Sequence, residues 1–267
     1  MSNPPFVVFS DLDGTLLDHE DYSWAPALPA LSKLRAVGAP VVLASSKTAP
    51  EIAPIRDQMR LTQYPAIVEN GAGLLPPGTS PRADNSAYLH LREILDGVKP
   101  GLRRHFQGFG DWSDEEVAEQ TGLPLENARL ARRRAFSEPG IWTGPAEMRD
   151  LFLTALAEEG VTARRGGRYL TLSFGGTKAD RMEMILQAYG TDDTLPVSIA
   201  LGDAPNDVEM LNAADHGIII ANSFGAELPI LAGERAGRIR RSTKEGPAGW
   251  NEMILALVSE LTARNGS

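Results

Sequence analysis

The chain has no cysteine among its 267 residues, which excludes disulfide frameworks, thiol nucleophiles and thiolate metal sites. It also lacks any apolar run near the roughly 18 residues that a membrane-spanning helix needs. An apolar strand begins within a few residues of Met1, with no charged segment, apolar core and cleavage site ahead of it. The expectation is a soluble cytoplasmic protein with no membrane partner. Positive charge is in deficit: 26 Lys and Arg against 35 Asp and Glu give a formal charge of -9. That balance argues against nucleic acid as a partner. An anionic substrate must then be held by local cations or a metal, because the global field repels it. Histidine is sparse as well: His90, His105 and His216 lack metal-ligand spacing and His19 falls in a loop, so packing or surface roles suit all four.

What the chain does contain is a set of apolar strands that end in reactive side chains. Phe6-Val7-Val8-Phe9-Ser10 runs into Asp11-Leu12-Asp13-Gly14-Thr15. Such a run reads as a parallel strand covered on both faces, and ligands bind beyond the carboxyl ends of these strands. Residues two apart in extended chain point the same way, so Asp11 and Asp13 can address one site while Gly14 turns the backbone aside. Paired acids can hold a hard cation and act covalently. Val197 to Leu201 is a second such strand and delivers Gly202-Asp203, with Asn206-Asp207 close behind. Pro40 to Ala44 is a third, ending in Ser45-Ser46-Lys47-Thr48, where hydroxyls, a cation and the N–H groups of a following helix suit phosphate. Lys178 opens a helix that carries Met182, Ile185 and Leu186 at helical spacing.

The organisation suits an α/β fold. Residues 1–82 alternate strand and helix, with helices expected over 26–37 and from Pro50, and a strand over Ala66-Ile67-Val68. Pro76 to Pro81 reads as a linker. Residues 83–169 change texture to amphipathic segments and Arg clusters, with helices expected over Ser86–Val98 and Pro145–Glu159, each followed by a strand. From 170 the core is expected to resume with an apolar strand.

Taken in order, these motifs resemble the haloacid dehalogenase superfamily of phosphohydrolases. The resemblance covers the whole chain and rests on Asp11-Leu12-Asp13-Gly14-Thr15, Ser45, Lys178, and Gly202-Asp203 with Asn206-Asp207. It implies a Rossmann-like parallel-sheet core, residues 1–82 and 170–267, with an inserted α+β cap domain, residues 83–169. More narrowly, Ala44-Ser45-Ser46-Lys47-Thr48, Arg134 to Pro139, Gly166-Gly167-Arg168 and the Gly246 to Glu252 string look like the mannosyl-3-phosphoglycerate phosphatase family.

The resemblance implies a division of labour. Asp11 is the expected nucleophile, forming an aspartyl-phosphate, and Asp13 the acid and base. Ser45 and Lys178 complete the catalytic set and hold phosphoryl oxygens and developing charge. Mg²⁺ is the expected cofactor, with Asp11, Asp13 (through its backbone carbonyl), Asp203 and Asp207 as the metal set; Asn206 and Asp207 hold waters or Lys178. Substrate contacts are expected from Ser46, Lys47 and Asn70 in the core and from Arg134, Ser137, Glu138, Gly167 and Arg168 in the cap. Arg binds a carboxylate in bidentate fashion. The expected partner is a small phosphorylated glycoside, mannosyl- or glucosyl-3-phosphoglycerate, hydrolysed to glycosylglycerate and phosphate. Two alternatives remain open: another sugar-phosphate phosphatase or phosphomutase, separated by phosphate release against transfer, and a silent binding module, whose mark would be loss of Asp11, Asp13 or Lys178.

Overall fold

The computed structural model describes residues 4–81, 84–166, 168–191, 194–225 and 227–264. Its strands are β1 (Phe6–Ser10), β2 (Val41–Ala44), β3 (Ala66–Val68), β4 (Gly73–Leu75), β5 (Phe106–Gly108), β6 (Ser137–Trp142), β7 (Thr162–Gly166), β8 (Tyr169–Ser173), β9 (Val197–Gly202), β10 (His216–Ala221) and β11 (Ile239–Glu245). Its α-helices are α1 (Leu28–Ala36), α2 (Ala49–Gln58), α3 (Ser86–Gly97), α4 (Pro100–Arg103), α5 (Asp114–Thr121), α6 (Leu125–Ala131), α7 (Ala146–Glu158), α8 (Lys178–Tyr189), α9 (Val208–Ala213), α10 (Ala232–Arg235) and α11 (Gly246–Arg264).

β1 is buried along its whole length, and the period of two divides its side chains between two cores. Phe6 and Val8 join Leu31, Ile52, Trp250 and Ile254, supplied by α1, α2 and α11 on one face. Val7 and Phe9 join Met182, Ile185, Met210 and Leu211, supplied by α8 and α9 on the other. The strand therefore sits at the centre of a doubly covered sheet. Seven strands run in the order β11-β10-β9-β1-β2-β3-β4, and every neighbouring pair is parallel except β3 and β4. All the parallel strands end at one edge, where β1, β2 and β9 release the motifs singled out above.

Between β4 and α8 the chain leaves to build a four-stranded antiparallel sheet, β5-β6-β8-β7. One face of it packs Phe106 and Leu172 against Leu91 and Leu95 of α3 and Phe152 and Leu156 of α7. The two helices expected here are present within a residue of their predicted ends. The helical hairpin α5–α6 was not anticipated. It starts at a Ser113–Glu116 capping box, turns at Gly122 (φ 78) and packs Val117, Ala128 and Ala131 around Phe109. Its short charged helices carry too few apolar positions to read as amphipathic in the sequence.

One expectation is overturned. The strand from 169–170, expected to resume the core, is β8, paired with β6 and β7 inside the smaller sheet. Leu172 is what that sheet lacks without it, since it lies directly opposite Ala163 and Glu138 and completes the apolar face. The chain returns to the large sheet only at Gly175-Gly176, where positive φ angles of 93° and 86° make the turn. The Pro76–Pro81 stretch is a tethered linker. The fully buried Arg56 donates to the carbonyls of Tyr64, Pro76 and Thr79 and holds it against α2.

Candidate active site

Asp11 continues the β1 ladder by one bond, its N–H donating to Leu201 O at 2.9 Å. Leu12 O then accepts from the N–H groups of Thr15, Leu16 and Leu17 in a tight turn. Gly14 sits in that turn at φ +77°, and a Cβ there would lie 2.6 Å from Asn222 Nδ2 and 3.1 Å from Asp203 Oδ2. Glycine is thus required both by backbone angle and by the neighbour it must clear. The turn brings Thr15 Oγ1 to within 2.6 Å of Asp203 Oδ1, and Asn222 donates to the other Asp203 oxygen at 2.7 Å.

Lys178 enters from the first turn of α8, behind the Thr177–Asp180 capping box. Its ammonium donates to Asp11 Oδ1 at 2.6 Å and to Asp207 Oδ1 at 2.7 Å. The second Asp207 oxygen accepts from the N–H groups of Asp203 and Ala204. All four side chains are buried, and oxygens of Asp11, Asp203 and Asp207 lie within 4.8 Å of one another. Burial pushes the Asp11 carboxyl well above its ordinary range; Lys178 opposes this, while Asp207 and Asp203 reinforce it. Burial also raises Asp203. For Lys178 burial alone would lower the ammonium, but Asp11 and Asp207 outweigh it and hold it above its usual value. Three close carboxylates and one lysine leave an excess of negative charge in a low-dielectric setting. An all-oxygen, anionic donor set of this kind fits a hard divalent cation such as Mg²⁺.

Asp13 differs from its neighbours. Its side chain keeps 39% of its exposure, its Oδ2 lies 2.9 Å from Lys47 Nζ, and its Oδ1 is buried without a protein partner. Lys47 is held above its usual value by Asp13, against the lowering effect of burial. Ser45 is buried at the end of β2, with its Oγ accepting from Lys47 N–H; Ser46 is exposed beside it. The β2 exit is bonded to the β3 exit, Glu69 N–H to Lys47 O and Asn70 N–H to Ser45 O, both at 2.9 Å. Glu69 and Asn70 take left-handed φ angles of 51° and 58° to make these bonds. Asn206 donates to Asn70 Oδ1 and does not reach Lys178.

The residues expected in the inserted unit divide by strand parity. Ser137 and Arg134 come to the junction of the two sheets and are spent there. Glu69, buried at the end of β3, accepts from Ala135 N–H, Phe136 N–H and Ser137 Oγ, with Arg134 Nε 3.3 Å away. Arg134 also donates to Ser137 Oγ and Ser46 O. Glu138, one residue on, points to the opposite face of β6. It is fully buried and accepts from Tyr88 Oη, Arg92 Nη1 and Gly110 N–H, so it does not line the cleft. Burial raises its carboxyl, and those three donors oppose the shift. Arg168 donates to Gln120 O and lies over the Tyr169 ring, and it is not among the residues that line the cleft beside Lys178. Gly167 lies outside the described residues.

The cleft between the two sheets is lined instead by Asn70, Lys178 and Asn206 from the core and by Arg164, Thr171 and Ser173 from β7 and β8. The sequence reading gave Thr15 no role of its own and did not single out Asn222. Asn222 was recoverable from the signal that found Asp203, since it directly follows β10, whose middle residues 217–220 are buried. Trp250, expected to pack near this edge, is fully buried and donates to Ser10 Oγ at 3.0 Å.

Comparison with known proteins agrees with this geometry. Residues 8–80 and 149–225 match the haloacid dehalogenase-like hydrolase family, the intervening stretch coinciding with much of the inserted unit. The chain belongs to that family. A curated relative from Persephonella marina, a glucosyl-3-phosphoglycerate/mannosyl-3-phosphoglycerate phosphatase, is 33% identical over 272 residues, covering 96% of this chain and 98% of that protein. The haloacid dehalogenase-like fold recurs in the sucrose-phosphatase of Synechocystis (TM-score 0.61, 15% identity, 97% and 98% covered). It recurs too in a phosphatase of this superfamily from Bacteroides thetaiotaomicron (TM-score 0.58, 19% identity, 97% and 96% covered). The chain is accordingly a phosphoric monoester hydrolase whose parallel core carries an inserted α+β cap. Among the described residues no helix is long and apolar enough to cross a membrane.

Proposed function

We propose that this phosphatase hydrolyses glucosyl- or mannosyl-3-phosphoglycerate with Mg²⁺, through an aspartyl-phosphate on Asp11. The observation that carries the reading is the pairing of a buried carboxylate, Asp11, held by Lys178, with a second carboxylate two residues on, Asp13, whose side chain stays partly exposed. One is placed to attack and the other to move protons. The relative of stated specificity supports the choice of substrate.

Asp11, Asp203 and the Asp13 carbonyl would hold the ion; when bound it supplies charge that lets a carboxylate approach a phosphate dianion and stabilises the oxygens in transfer. Asp207 takes a supporting role in this reading: one of its oxygens holds the Lys178 ammonium and the other holds the Asp203 and Ala204 N–H groups, which fixes the lysine and the loop that carries Asp203. Asp11 attacks phosphorus, the ester P–O bond breaks, and Asp13 gives its proton to the departing glycerate oxygen. Asp13 then takes a proton from the water that attacks the phosphoaspartate, which releases phosphate and restores Asp11. Lys47 orients Asp13. Ser45 and its neighbouring N–H groups bind phosphoryl oxygens, and Lys178 offsets the charge gathered around Asp11. The inserted unit, which we take to span about 84–173, closes over this edge as a cap and reads the rest of the substrate.

A panel of esters under Mg²⁺ tests the assignment, with kcat/KM as the measure. Glycosyl-3-phosphoglycerates should lead free hexose phosphates by an order of magnitude or more. A preference for the hexose phosphates would overturn it.

A further inference from the structure

A glycosyl-3-phosphoglycerate carries a carboxylate on the same three-carbon unit as its phosphate, so the cleft must supply a second cation. The cations nearest the site are committed. Lys178 is shared by Asp11 and Asp207, Lys47 is paired with Asp13, and Arg134 is buried against Glu69. Two arginines of β7 remain on the cleft wall, Arg164 and Arg165. The register separates them: Arg164 lies opposite Thr171, which shares the cleft-lining face with Ser173, whereas Arg165 lies opposite Leu170, which packs toward the cap helices.

Arg164 has one ionic contact, Nη1 to Glu209 Oε1 at 2.9 Å, and Glu209 belongs to α9 of the core. That pair spans the cleft from cap to core. Both side chains are about half exposed, 53% and 54%, and an ion pair this exposed holds weakly. A carboxylate delivered by a ligand already anchored through its phosphate arrives at high effective concentration and can displace it. Thr171, directly opposite Arg164 in the ladder, offers a hydroxyl on the same wall.

We propose that Arg164 is the specificity-determining residue for the substrate carboxylate, and that Glu209 is its resident competitor, holding Arg164 across the cleft until the glycerate carboxylate takes its place. This rests on the substrate reading given above. The guanidinium grips the carboxylate in bidentate fashion once Glu209 is displaced, so a phosphoester without a carboxylate gains nothing from it.

The test compares glucosyl-3-phosphoglycerate with glycerol phosphate, which lacks the carboxylate, for the wild type, Arg164→Ala, Arg164→Lys and Glu209→Gln. Arg164→Ala should lower kcat/KM on the glycosyl ester by roughly one to two decades, mainly through KM, and at least tenfold more than on glycerol phosphate. Arg164→Lys should recover part of the loss. Glu209→Gln should lower KM on the glycosyl ester several-fold, because the competitor loses its charge. Equal losses on both esters in Arg164→Ala, or a raised KM in Glu209→Gln, overturn the inference while wild-type preference for the glycosyl ester leaves the substrate reading standing. A wild type that favours glycerol phosphate overturns both.

Discussion

Replacing Glu69 by Ala is the sharpest test of how the cap is fixed to the core. Its carboxylate accepts from two backbone N–H groups and one hydroxyl of the 135–137 segment, and it faces the guanidinium of Arg134, which is only 7% exposed. Removing it leaves that guanidinium buried with no carboxylate beside it. Breaking a buried pair from one side costs about 3 to 5 kcal/mol, a large share of a typical ~5 to 15 kcal/mol of stability. Arg134→Ala should cost about the same, since it leaves Glu69 as the uncompensated group, although its backbone donors remain. The double variant should fall well short of the sum, by about 2 kcal/mol or more, because neither charge is then stranded. Urea denaturation of the four proteins measures each value. Additive losses, or single losses under about 1 kcal/mol, would refute the clasp and return Arg134 to the substrate-binding role that the sequence suggested.

The proton-transfer role of Asp13 predicts that Asp13→Asn lowers kcat by about 10²- to 10⁴-fold on an alkyl phosphate. The loss should be much smaller on p-nitrophenyl phosphate, whose leaving group needs no proton; equal losses in steady-state assays would count against it. Chelation should abolish turnover and Mg²⁺ restore it, and Asp203→Ala should weaken Mg²⁺ binding in calorimetric titration more than Asp207→Asn does. Asp111 bears on pH. Burial alone would raise its carboxyl, but Gly108 N–H, Arg103 and Arg92 together hold it below its ordinary 3.8. A depressed folded-state value stabilises above the unfolded value and is lost as pH falls through the folded one. Asp111→Asn should therefore melt below the wild type at pH 6, with the gap closing below about pH 4.

The large sheet was legible because its strands are continuous apolar runs, and each run's last residue fixes which side chain reaches the active edge. Asp11, Asp203 and Ser45 follow from that rule, whereas Lys178, a lysine at a helix start, stands out only by its order among the other motifs. The cap resisted the same reading. Its strands alternate, so one residue of register decides between cleft and interior: Ser137 and Glu138 were expected in one role, yet they face opposite sides of β6 and meet different partners. β8 was assigned to the wrong sheet for a related reason, since Tyr-Leu-Thr-Leu-Ser does not state which neighbours its backbone will pair with. Arg134 and Arg168 looked like ligands because they match the family pattern, which sets them apart from the other charge runs of an acidic protein. Their buried and carbonyl partners, Glu69 and Gln120, lie 65 and 48 residues away in sequence, and no local pattern reveals them.

The most direct test of the account is to find where the phosphoryl group goes. Mixing enzyme with glucosyl-3-phosphoglycerate and Mg²⁺, quenching in acid within one turnover and mapping the peptides by mass spectrometry reports the covalent intermediate. The account predicts a phosphoryl adduct on Asp11, absent from Asp11→Asn, which should bind substrate but not turn it over. Product formation with no adduct on Asp11, or undiminished phosphate release by Asp11→Asn, would contradict it.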